Sequence, residues 1–199
     1  MQYTYPLKIH FRLLALAPQI SLTDAHGKEL LYIEQKIFAL KEAIKVFNNA
    51  KDKNLLYTIQ ANQIIDFDAT YFFHTANKDN LGSIKQDGMR SLYRASYSVS
   101  NKKEEPIYKV TQTNPLVGLL DSLLSIIPFA EFITGFILNP SYALTDNKGD
   151  KPIMHMKKKP SFFESEFEIT LAHEKLSKDE EILSLLTFIM IVQLERNRG

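Results

Sequence analysis

SKDEEILSLLTFIMIVQLER, Ser177 to Arg196, is the stretch whose reading decides the fold. Ser177 followed three residues on by Glu180 is a capping box, in which each side chain satisfies the other residue's backbone N–H. Asp179, Glu180 and Glu181 lie at the positive end of the helix dipole, and Arg196 and Arg198 lie at or beyond its negative end. Between them Ile182, Leu183, Leu185, Leu186, Phe188, Ile189, Met190, Ile191, Val192 and Leu194 leave only Ser184, Thr187 and Gln193 polar. A helix that is apolar all round must be buried all round. The apolar part covers only about 20 Å at roughly 1.5 Å per residue, well short of a hydrocarbon core of about 30 Å. The place left for it is the interior of a β-barrel.

Upstream of the helix the chain reads as strands separated by turns. Leu7, Ile9, Phe11 and Leu13 alternate with Lys8, His10 and Arg12. Leu55, Tyr57, Ile59 and Ala61 repeat the pattern, as do Tyr93, Ala95, Tyr97 and Val99. Phe163, Phe167, Ile169 and Leu171, set against Glu164, Glu166, Glu168 and Thr170, give the cleanest period of two. Turn residues punctuate the runs at Asp24–Gly27, Asn48–Lys53, Asn77–Asn80, Asn101–Glu105 and Asp146–Gly149. LTDxxG occurs twice, at Leu22–Gly27 and Leu144–Gly149. Its Asp accepts backbone N–H bonds and its Gly takes the left-handed turn position, so each copy joins two antiparallel strands. One Asp per turn is too few ligands for calcium. The expected fold is mainly β (α+β): a closed antiparallel barrel of about twelve strands, threaded by the helix 178–196, in one domain over 1–199.

Composition narrows the function. The 199 residues carry 24 Lys+Arg against 23 Asp+Glu, a net charge of +1, with 45% hydrophobic residues and no Cys or Trp. That balance supplies no field for holding nucleic-acid phosphates. Without cysteine there is no disulfide, thiolate metal site, Cys nucleophile or palmitoylation site. The opening MQYTYPLKIHFRLLALAPQ has an apolar run of only Leu13–Ala17, shorter than a signal sequence needs. A cytoplasmic location is the expectation, peripheral to a membrane if the chain binds one.

A second apolar block, LVGLLDSLLSIIPFAEFITGFIL (Leu116–Leu138), is long enough to span a bilayer. Its Leu, Ile, Val and Phe gain about 0.3–0.6 kcal/mol each, while Asp121 and Glu131 cost up to about 3 kcal/mol each. The terms nearly cancel, and Gly118, Gly135 and Pro128 tip the sum against insertion. Asn114-Pro115 opens one helix and Pro128 suits the start of another, so two short amphipathic helices within an insertion at 115–138 are expected. A spanning helix would also separate strands that need one another to form a sheet. The block has three possible uses: covering an end of the barrel, forming a dimer interface, or lying in a membrane surface.

The order of these features resembles the tubby C-terminal-like superfamily, in its LURP-one-related and phospholipid-scramblase-like branch. The resemblance is carried by residues 22–47, 142–171 and 180–198. It implies a non-enzymatic binding module that associates with anionic membrane lipid or a protein partner. The alternative is a soluble structural or regulatory domain whose insertion packs on its own barrel or forms a homodimer. Scramblase-like proteins carry a cysteine-rich palmitoylated segment, an acidic calcium-binding stretch and a terminal membrane segment. This sequence lacks the first and shows no dense acidic stretch beside its helix, so lipid transport does not carry over.

No HExxH, GxSxG, P-loop or GxGxxG motif is present. His10, His26, His74, His155 and His173 are scattered, and pairs such as Asp66/Asp68 and Glu164/Glu166 read as solvated faces. No catalytic residue, cofactor or metal ligand is assigned. The candidate contact residues for a membrane or partner are Leu120, Leu124, Ile127, Phe129, Phe132 and Phe136, together with the basic run Lys157, Lys158 and Lys159.

Overall fold

The computed structural model describes residues 3–12, 19–34, 43–62, 69–88, 95–114, 140–148, 151–160, 165–172 and 176–196. Among the described residues, twelve strands and one helix follow one another along the chain. The strands are β1 (Leu7–Arg12), β2 (Gln19–Thr23), β3 (Glu29–Glu34), β4 (Ile44–Phe47), β5 (Leu55–Ala61), β6 (Thr70–Thr75), β7 (Asn80–Gln86), β8 (Ser96–Asn101), β9 (Pro106–Gln112), β10 (Ser141–Asp146), β11 (Pro152–Lys159) and β12 (Ser165–Leu171). Each pairs antiparallel with its sequence neighbours, and β1 also pairs with β12, which closes the barrel and leaves no free edge. The closure register sets Leu7 opposite Ile169, Ile9 opposite Phe167 and Phe11 opposite Ser165.

Inside runs the helix α1 (Lys178–Arg196), with every residue from Glu181 to Gln193 buried. Leu185, Leu186, Phe188, Ile189, Met190 and Ile191 have no exposed surface. The inward residues of the strands, among them Ile9, Leu22, Ile33, Val46, Phe73, Val110 and Met156, form one core with them. The wall lies against α1 at Gly82 on β7, where an added Cβ would lie 3.0 Å from Leu183 Cδ1 and 2.3 Å from the Ser100 carbonyl oxygen. Glu181 faces the other way, accepting a 3.0 Å hydrogen bond from the hydroxyl of Tyr5, just ahead of β1. Residues 181 and 183 lie roughly 200° apart around a helix, and β1 and β7 are opposite walls of the ring. The helix therefore runs along the barrel axis, as its all-round apolar surface requires.

The strand directions give the barrel two unlike mouths. Five connections, β2–β3, β4–β5, β6–β7, β8–β9 and β10–β11, lie at the near mouth, where α1 begins. These are self-satisfied turns. Asp24 Oδ1 accepts from the backbone N–H groups of His26 and Lys28, both at 2.9 Å, and Gly27 adopts a φ of 77°. Asn49 Oδ1 and Asn101 Oδ1 accept local backbone N–H bonds in the β4–β5 and β8–β9 turns. Six connections lie at the far mouth, β9–β10 among them. The expected helical insertion at 115–138 belongs to that connection and lies outside the described residues.

Candidate functional site

At the near mouth the capping box forms as its sequence dictates. Ser177 N–H donates to Glu180 Oε2 at 2.9 Å, and Glu180 N–H donates to Ser177 Oγ at 3.3 Å. Hydrogen bonding to Ser177, assisted by Tyr108, holds the Glu180 carboxyl below the ordinary carboxylate range despite its partial burial. Tyr3, Tyr5 and Tyr57 crowd the same end. Burial first, and then the charge of Glu181, push the Tyr5 phenol far above its ordinary range. Burial also raises Tyr57, with Asp179 adding to it. The N-terminal residues are tied across this mouth by Ala25 N–H donating to the Thr4 carbonyl at 3.0 Å.

One trio on the outer wall has the residue types of a hydrolytic relay: His10 Nε2 lies 3.5 Å from Thr23 Oγ1, and His10 Nδ1 lies 3.5 Å from Glu166 Oε2. Both distances are at the limit of hydrogen bonding. Neighbouring strands of a convex wall bring the three together, and Lys8 competes for the same carboxylate at 3.3 Å. Their arrangement is that of a cross-strand polar cluster. Among the described residues, no three or more of His, Asp or Glu gather closely enough to hold a metal ion.

The far mouth brings together the two features that the sequence separates by some twenty residues. Thr113 and Asn114 end the described part of the chain before 115–139, and Pro140 and Ser141 resume it. These stems are stapled: Ser141 N–H donates to Asn114 Oδ1 at 2.9 Å, Thr113 N–H donates to the Ser141 carbonyl at 2.8 Å, and the two hydroxyls lie 2.6 Å apart. The basic run sits beside them. Lys158 N–H donates to the Pro140 carbonyl at 3.0 Å, and Lys157 lies directly opposite Ser141 in the β10–β11 register.

Strand alternation then divides the three lysines. Lys159 Nζ lies 2.9 Å from Glu168 Oε1. Lys158, opposite the inward-facing Phe167, turns toward the barrel's inner side and is half-buried. Lys157 is exposed and has no ion pair among the described residues. Leu120, Leu124, Ile127, Phe129, Phe132 and Phe136 lie outside the described residues. Sequence reasoning named the lysine run but not the hydroxyls of Thr113 and Ser141, which register alone sets beside Lys157.

A closed twelve-stranded antiparallel barrel around an axial apolar helix is the class of protein these elements define. The family model described as LURP-one-related matches residues 29–173, and the chain belongs to that family. Its fold is similar to the X-ray structure of a protein from Arabidopsis thaliana, with a TM-score of 0.51 and 13% identity over 96% of this chain and 94% of that one. At that identity the likeness speaks for the fold alone. No curated protein matches the sequence. Among the described residues, no helix is long and apolar enough to cross a membrane.

Proposed function

We propose that this LURP-one-related chain is a non-enzymatic, tubby-like binding module that associates peripherally with an anionic membrane surface on the cytoplasmic side. The contact is made through the 115–138 connection, with Phe129, Phe132 and their apolar neighbours, and through Lys157 beside its stems. The observation supporting this reading is the juxtaposition at the far mouth: the backbone bond between Lys158 and Pro140 sets Lys157, exposed and without an ion pair among the described residues, next to the chain's longest apolar connection. An apolar segment flanked by basic charge is the combination that holds proteins on anionic bilayers, each element being weak alone. The LURP-one-related relationship fits a domain that works by binding.

Co-sedimentation with vesicles of phosphatidylcholine and phosphatidylserine tests the reading. The wild-type chain should pellet with anionic vesicles and remain in solution with neutral ones. Phe129→Asp combined with Phe132→Asp should abolish pelleting without changing the circular dichroism. Absence of binding by the wild type, together with a dimer in sedimentation velocity, would replace the membrane surface by a second copy as the partner of this connection.

A further inference from the structure

The formal charge of the chain sums to only +1, yet it is unevenly spread around the barrel. Strands β7 to β11 hold Lys85, Lys109, Lys157, Lys158 and Lys159 and a single acid, Asp146, at the end of β10. The other seven strands hold Lys8, Arg12 and Lys45 against Glu29, Glu34, Glu166 and Glu168. The connections do not reverse the contrast. Residues 80–159 carry eleven Lys+Arg and seven Asp+Glu, whereas the rest of the chain carries thirteen and sixteen. Each strand of the ring pairs with its sequence neighbours, so β7 to β11 form one continuous wall and the contrast lies between two sides of the barrel. A charge distribution of this kind orients a protein over a charged surface.

Strand alternation turns Lys85 outward next to the buried Ile84, and Lys109 outward between the buried Tyr108 and Val110. Neither of them, nor Lys157, has an ion pair among the described residues, whereas Lys8, Lys53 and Lys159 are matched to Glu166, Glu34 and Glu168. Lys85 and Lys109 both lie opposite Ser98 in the register, so they flank it two strand spacings apart, about 10 Å. Asp87, the acid that follows β7, accepts hydrogen bonds from the hydroxyls of Ser96 and Ser98, both at 2.6 Å. The middle strands of this wall, β9 and β10, end at the stapled stems beside Lys157. The wall is therefore continuous with the contact proposed above. Resting on that membrane reading, we infer that the barrel docks on its side, with the outer face of β7 to β11 against an anionic bilayer and Lys85 and Lys109 joining Lys157 in the contact. The walls around β1 to β4, on the opposite side, face away.

Affinity for phosphatidylserine-containing vesicles, measured at fixed low ionic strength for the wild type, Lys85→Ala, Lys109→Ala and Lys45→Ala, tests the orientation. Lys45 is the control: it is exposed and has no ion pair among the described residues, but it stands on β4, five strands from β9 around a ring of twelve. Lys85→Ala and Lys109→Ala should each bind about fivefold more weakly, and Lys45→Ala should bind like the wild type. The cysteine-free sequence gives a second reading that does not depend on the lysines. Thr111→Cys on β9 and Ser21→Cys on β2, both half-buried positions, are labelled with an environment-sensitive fluorophore. Anionic vesicles should shift the emission to the blue at 111 and leave it unchanged at 21. Wild-type affinity in either Lys85→Ala or Lys109→Ala, an equal loss in Lys45→Ala, or an emission shift at 21 as large as that at 111 would overturn the orientation while leaving membrane binding intact. Failure of the wild type to bind the vesicles would overturn the membrane reading, and the orientation with it.

Discussion

Replacing Gly82 by alanine probes a place where the barrel wall and the central helix are tightly packed. Gly82 has a φ of 148°, a conformation that side-chain-bearing residues rarely adopt, and forcing it costs on the order of 1–3 kcal/mol. The new Cβ would also stand 2.3 Å from the Ser100 carbonyl oxygen and 3.0 Å from Leu183 Cδ1. The helix side chain can yield by a few tenths of an ångström, but the oxygen belongs to the backbone of β8, so the strands themselves must part. Overpacking of this kind adds about 1–3 kcal/mol, for a total of roughly 2–6 kcal/mol against a domain stability of about 5–15 kcal/mol. Gly27→Ala is the control: Gly27 also has positive φ, but no atom lies within 4 Å of an added Cβ. It should lose only the left-handed penalty of about 1–2 kcal/mol. Urea unfolding of both variants, at matched slopes, gives the comparison. A Gly82→Ala loss no larger than that of Gly27→Ala would mean that the wall is not pressed against β8 and the helix at this point.

Ser177→Ala removes the hydroxyl half of the capping box and should cost about 1 kcal/mol in chemical unfolding. Because the Glu180 carboxyl is held below its unfolded value, its contribution is present above that value and is lost as pH falls through the folded one. The wild-type advantage over Ser177→Ala should therefore shrink in acid. Burial raises the phenols of Tyr3, Tyr5, Tyr57 and Tyr71. Above about pH 10 the unfolded chain sheds those protons first, so stability should fall as pH rises further, which thermal melts in alkaline buffers will show. Tyr5→Phe leaves the buried Glu181 carboxylate without its hydroxyl donor and should cost about 1.5–3 kcal/mol at neutral pH, measured by the same unfolding assay.

Local patterns made much of the architecture legible. Period-two alternation in Leu7–Phe11 and Phe167–Leu171 identifies strands because each needs only one buried face. The ten apolar neighbours around Ser184 and Thr187 required enclosure, and the barrel supplies it. LTDAHG wrote its own turn through Asp24 and Gly27. What sequence did not disclose depends on partners far along the chain. The Tyr5–Glu181 bond joins positions 176 residues apart, and the close approach at Gly82 depends on where α1 comes to rest. Three adjacent lysines looked equivalent as a charge run. Register across β11 and β12 makes them unequal, giving Lys159 an acid and leaving Lys157 exposed beside Ser141.

The division among the lysines supplies the most direct measurement of the membrane account. Binding to phosphatidylserine-containing vesicles is titrated for the wild type, Lys157→Ala and Lys159→Ala at a fixed, low ionic strength. An unpaired lysine at an anionic surface contributes about 1 kcal/mol, roughly a fivefold change in affinity. Lys159 is already committed to Glu168. The account predicts a loss near fivefold for Lys157→Ala and little change for Lys159→Ala. Affinity unchanged by Lys157→Ala, or reduced equally by both substitutions, would contradict it.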